Sequence, residues 1–224
     1  MEVTENEHGG KSIVFRAGDD LKRVPRSHRS LITEEVAEVF RNVPGFFSDI
    51  AERTPFPRMT DWLMALVWEN DWRLTLERSR DEKTWGRTAF WWASKSVRGA
   101  GIGLVENVKI EALPEALSKL YSLIGSVDWM GGASSAGIDR ISAAHLLTAY
   151  DFDFRGDPID PERTVVWGGF NGDMLIADLD GDRAGWFELP PNEVRMIGTT
   201  AETIDWFFAE LLAGRGPTVD NVNR

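Results

Sequence analysis

MLIADLDGDRAGWFEL, residues 174–189, holds two extended apolar runs, 174–179 and 185–189, on either side of Asp180-Gly181-Asp182. An Asp-Gly pair between two such runs signals a β-hairpin, because Gly accepts positive φ without penalty. Just upstream, Val165 to Trp167 reads as a further strand. Downstream, an amphipathic helix starts near Thr200, carries Ile204, Phe207, Phe208, Leu211 and Leu212 at helical spacing, and is capped by Gly214. Strands and helices thus share one stretch, and the chain reads as a globular protein of mixed α and β structure.

Towards the N-terminus the pattern alternates between the two periods. Ser142 to Tyr150 reads as a short helix with Ala143, Leu146, Leu147 and Tyr150 inward, and residues 131–137 (GGASSAG) as a loop. Leu113-Pro114 opens a helix with Pro in its first turn, striped by Leu117, Leu120, Tyr121 and Ile124 and ended by Gly125. Gly99 to Leu104 reads as a flexible or bulged entry into a strand running to Ile110. Trp72, Leu74 and Leu76 alternate with polar residues, and Trp85 to Trp92 is a second extended run, so the two form a hairpin whose tryptophans are core. Thr60-Asp61 begins a helix to about Asn70, and Thr33 N-caps another, with Val36, Val39, Phe40 and Val43 on one face, that Pro44-Gly45 stops. Residues 1–30 read as a flexible arm crossed by the basic run Lys22 to Arg29, a solvated segment with no interleaved aromatics for nucleic acid. The domain reading is therefore an arm at 1–30, one α+β domain at 31–215 with an elaborated N-terminal half, and a frayed tail at 216–224.

Composition narrows the function classes. With 42% hydrophobic and 27% charged residues, ten Trp and twelve Phe, the chain has ample material for a core. It has no Cys, which excludes disulfides, thiolate metal sites and a Cys nucleophile and fits a reducing cytoplasm. The first residues carry three Glu and no apolar run, and no stretch reaches the length of a membrane span, so a cytoplasmic protein with no membrane partner is expected. The net charge of −11 is concentrated after residue 150, where fifteen Asp and Glu face six Arg and no Lys. That field repels nucleic acid and speeds encounter with a basic partner, although an acidic surface also serves solubility.

No catalytic constellation emerges. Gly99 to Leu104 fails the dinucleotide fingerprint, because Leu104 stands where the third Gly belongs. Asp178, Asp180 and Asp182 imitate the start of an EF-hand loop, but Arg183 replaces the Gly at position six and Leu189 the Glu at position twelve. The trio reads as an acidic hairpin tip, with a metal-assisted hydrolase as the alternative. Of the three histidines only His145 falls in a folded segment, without a second His or a Cys beside it. Neither catalytic residues nor a cofactor or metal are expected.

Residues from about 105 to 215 resemble the SUKH superfamily, which includes yeast cell-wall-regulator-like proteins and bacterial toxin-immunity proteins. The features are Leu113-Pro114 opening a helix that contains Leu120-Tyr121 and closes at Gly125, the strand approach Trp167 to Asp173, the hairpin Leu175 to Phe187, and Ile197 to Phe207 as a strand followed by the C-terminal helix. The resemblance implies an α+β fold, a curved and mostly antiparallel sheet flanked by helices, here with an extra N-terminal α/β-hairpin elaboration. It also implies a non-enzymatic protein-binding module, an immunity-type protein neutralising a bacterial toxin such as a basic nuclease. The contact surface expected on that basis is Asp151, Asp153, Asp173, Asp178, Asp180, Asp182 and Trp186, each Asp otherwise a plain exposed residue and Trp186 otherwise buried. An assembly component remains a further alternative.

Overall fold

The computed structural model describes residues 2–5, 11–16, 21–24, 26, 32, 34–67, 72–78, 87–92, 100–103, 113–131, 134–139, 141–151 and 153–214. Among these residues lie five α-helices: α1 (Glu34–Arg41), α2 (Val43–Arg53), α3 (Pro57–Val67), α4 (Glu115–Tyr121) and α5 (Thr200–Leu212). The strands are β1 (Glu2–Glu5), β2 (Lys11–Arg16), β3 (Trp72–Arg78), β4 (Arg87–Trp92), β5 (Ala100–Gly103), β6 (Ser126–Gly131), β7 (Ser134–Ile138), β8 (His145–Leu146), β9 (Arg155–Gly156), β10 (Thr164–Phe170), β11 (Asp173–Asp178), β12 (Ala184–Glu188) and β13 (Glu193–Gly198). They form one open sheet in the order β1-β2-β3-β4-β5-β6-β7-β10-β11-β12-β13-β9, with β8 also paired to β10. Every pairing is antiparallel except β13 with β9. The α+β class is therefore correct.

The strand β11 explains why residues 174–177 are apolar without interruption. Leu175 and Ala177 enter a core shared with the helices, whereas Met174 and Ile176 enter a second cluster with Leu147, Val166, Phe187 and Val194. A strand covered on both faces has no polar alternation to show. The helix-side core runs from Val24 through Phe47, Leu63, Leu120 and Trp167 to Leu211, so the N-terminal helices and the C-terminal sheet share one interior. Its seam is α3 against α5, where the rings of Trp62 and Phe208 lie 5.2 Å apart at 49°. Burying each such large side chain stabilises the fold by roughly 1.5–3 kcal/mol. Asp205 on α5 adds a polar tie, its Oδ1 accepting the Arg58 backbone N–H in the first turn of α3 at 2.7 Å.

Several local readings are corrected by this architecture. Pro44-Gly45 does not end a helix run: Asn42 accepts the Gly45 N–H through Oδ1 at 3.1 Å and starts α2, where Pro44 sits in the first turn and needs no N–H partner. The helix expected from Thr60 begins at Pro57, and the helix opened by Leu113-Pro114 closes at Tyr121, before Gly125. The segment at 1–30 contributes β1 and β2, the latter pairing with β3 through Phe15 and Leu74. The run Ser12-Ile13-Val14-Phe15 has the β-branched and aromatic character of a strand, which the surrounding Gly and charge obscure.

Residues 134–138 are a strand and not a loop. Gly137 is there because a Cβ would meet the Val127 carbonyl at 2.8 Å, a close approach between strands and not a turn. The short helix expected at Ser142 to Tyr150 is two 3-10 turns, 141–143 and 147–149, around β8. Of its apolar residues Leu147 is fully buried, while Leu146 is 40% exposed. The hairpin partner runs β3 and β4 pair as expected; the side chains of their tryptophans, the strand reading beyond Gly103, His8, His28 and the tail at 216–224 lie outside the described residues. The final helix holds its expected apolar face except for Leu212, 39% exposed, and Gly214 ends it at φ 69°. Its N-terminus is a capping box, with Thr199 Oγ1 accepting the Glu202 N–H and Glu202 Oε2 accepting the Thr199 N–H.

Candidate functional site

Of the seven residues anticipated as a contact surface, the six aspartates fall into two groups at opposite ends of β11. Asp173 and Asp178 bound that strand, and five residue steps at about 3.4 Å put them some 17 Å apart. Asp151 and Asp153, both exposed, belong to the Asp173 end. There the half-buried Phe154 anchors the segment against Phe187, ring centroids 5.3 Å apart, and β9 pairs with the start of β13. At the far end Asp178, Asp180 and Asp182 share the turn between β11 and β12.

That turn is built differently from the Asp-Gly hairpin the sequence suggests. Gly181 does not adopt positive φ; among the described residues the left-handed glycines are Gly156, Gly172 and Gly214. Asp178 Oδ1 accepts the Asp180 N–H at 2.9 Å, an Asx turn that bends the chain by itself. Asp180 forms an ion pair with Arg163, and Asp182 Oδ1 accepts the Thr200 N–H at the start of α5 at 3.1 Å. Each carboxylate of the trio thus has a partner within the chain. Among the described residues no group of three His, Cys, Asp or Glu is placed to hold a metal ion. The tight two-residue hairpin occurs instead at Asn171-Gly172, both at positive φ (51° and 100°), between paired Phe170 and Asp173.

Asp173 is half-buried, and its Oδ1 accepts the Leu189 N–H at 2.8 Å. Desolvation raises its pKa above the ordinary carboxylate value, against the opposing pull of the Leu189 N–H and of the Trp186 indole. The indole acts on that charge without a hydrogen bond of ordinary geometry, since Nε1 has no partner. Trp186 itself is 0% exposed, packed edge-on to Trp206 at 6.0 Å and 80°. It is a core residue and offers no surface to a partner; the strand pleat that turns Trp186 towards α5 is the reason.

Two concavities accompany these groups. Near Asp173 a recess of about 340 Å³ is lined by Asp128, Asp139, His145, Tyr150 and the glycines of β10. His145 bridges the Ala143 carbonyl (Nδ1, 2.8 Å) and the Tyr150 hydroxyl (Nε2, 2.9 Å), which holds the β8 segment in place. Beside the Asp180 turn a groove of about 920 Å³ has Phe56, Pro114, Ala116, Leu179 and Ala201 on its walls and Glu115, Lys119, Asp180 and Asp182 among its polar residues. Nothing in the sequence marks this groove, since its residues come from the α2–α3 connection, α4, the β11–β12 turn and α5. No protein-family model, curated protein or solved structure matches the chain.

Proposed function

We propose that the chain is a non-enzymatic, cytoplasmic protein-binding module of SUKH type, an immunity-type protein that neutralises a bacterial toxin by covering it with an acidic surface. The observation that carries this reading is where the acid sits: Asp151, Asp153, Asp180 and Asp182 are exposed on connecting segments, within a C-terminal third of net charge −9. Charges placed there act at long range. They raise the association rate with a basic surface, such as a nuclease cleft, and imitate the phosphates that cleft is built to receive. Asp173 stands at the edge of this surface, half-buried, with its Oδ1 held by the Leu189 N–H at 2.8 Å. Trp186 is not part of this surface.

Co-expression of the chain with a toxin encoded directly upstream of its gene tests the proposal. Growth should be rescued by the wild type and lost when Asp151, Asp153, Asp180 and Asp182 are together changed to Asn. Rescue that ignores the four substitutions would contradict the acidic-surface mechanism.

A further inference from the structure

The groove beside the Asp180 turn carries a more specific assignment, which rests on the binding role proposed above. We infer that it receives a short segment of the basic partner, an apolar side chain followed by Lys or Arg.

Its walls and its charge point to one kind of occupant. Phe56 and Pro114 are buried floor residues, and Ala116, Leu179 and Ala201 are half-buried small or aliphatic walls, so an apolar side chain seated there loses water contact on several sides. About 920 Å³ is room for two or three side chains. Glu115, Lys119, Asp180 and Asp182 give the lining a net charge of −2, and Arg163, paired with Asp180 from outside it, leaves a local balance of −1, on a chain of net charge −11. A purely apolar segment would leave that charge unanswered, and an acidic one would be repelled by it. The walls are also held firmly. Asp182 is tied to the Thr200 N–H, Asp180 to Arg163, and α4 is anchored by the buried Leu117, Leu120 and Tyr121, so the groove is preformed in the free protein.

Two synthetic hexapeptides provide the probe, Gly-Ser-Phe-Arg-Lys-Gly and its charge-reversed form Gly-Ser-Phe-Glu-Glu-Gly, titrated to about 1 mM against the methyl-labelled full chain and followed by NMR. The cationic peptide should shift the methyls of Ala116, Leu179 and Ala201 saturably, and the acidic peptide should not. Ala116→Trp, which fills the groove from its half-buried wall on α4, should abolish the shifts while the thermal midpoint stays within a few degrees of wild type. Asp182→Asn keeps an oxygen for the Thr200 N–H, so a several-fold weakening there reports charge and not collapse. Equal binding of both peptides, binding unaffected by Ala116→Trp, or no groove shifts at all would overturn the assignment. Saturable shifts confined to residues around Asp151 and Asp173 would also overturn it, and would leave the acidic-surface role standing. Failure of toxin rescue with the groove still selective for the cationic peptide would remove only the immunity role.

Discussion

Asp173 is a single residue at which burial and charge pull apart. Its raised pKa means that the folded state holds a proton on this group more readily than the unfolded chain does. Above that raised pKa the charged carboxylate therefore subtracts from stability. The penalty fades as pH falls through the folded value and is gone below the ordinary value of 3.8. Asp173→Asn keeps an oxygen for the Leu189 N–H and removes the charge. Thermal melts should place the variant at or above wild type at pH 7, with the difference closing towards pH 3.8. A variant clearly less stable at pH 7 would show that the carboxylate is structural. Trp186 gives the complementary lesson: an aromatic beside an acidic turn looks like a contact residue in sequence, yet the two-residue period of β12 directs it inward and Phe187 to the opposite cluster.

At the scale of elements, what the sequence made legible is what repeats. The helix α5 was readable from the spacing of Ile204, Phe207, Phe208 and Leu211, and the β3–β4 hairpin from alternation at Trp72, Leu74 and Leu76. Where a residue serves two needs, the local signal misleads. Pro44 and Gly45 look like a stop but belong to the first turn of α2, and Gly137 looks like a loop but permits β7 to lie close to β6. The contacts that join elements leave no periodic trace, and the Asp205 tie between α5 and α3 is one of these. It satisfies an N–H that a helix start leaves without an intrahelical partner. Asp205→Ala should cost about 1–2 kcal/mol in urea unfolding; an unchanged midpoint would mean that water replaces the carboxylate without loss.

Over the whole molecule, the interior joins the described residues before about 105 to those from 113 to 214, two parts that the sequence reading sets apart. Trp62, Leu63 and Leu66 of α3 occupy the same core as Phe207, Phe208 and Leu211 of α5, all at 2% exposure or less. A fragment from residue 105 onward would uncover that face of α5. It should therefore lack a cooperative thermal transition, and a fragment that melts as sharply as the full chain would contradict the shared core. The candidate groove depends on the same union, since Phe56 comes from one half and Asp180 from the other. The proposed function at this scale rests on net field: charges near both ends of β11, on exposed connections, where a basic macromolecule would meet them. The most direct measurement is affinity capture of the full chain from its native cells at low and high salt, beside the variant with Asn at 151, 153, 180 and 182, with the eluate identified and quantified. The account predicts one basic protein in near-equal amount with the wild type, released by high salt and absent with the variant. A captured protein of acidic character, or one held equally by both forms and indifferent to salt, would contradict it.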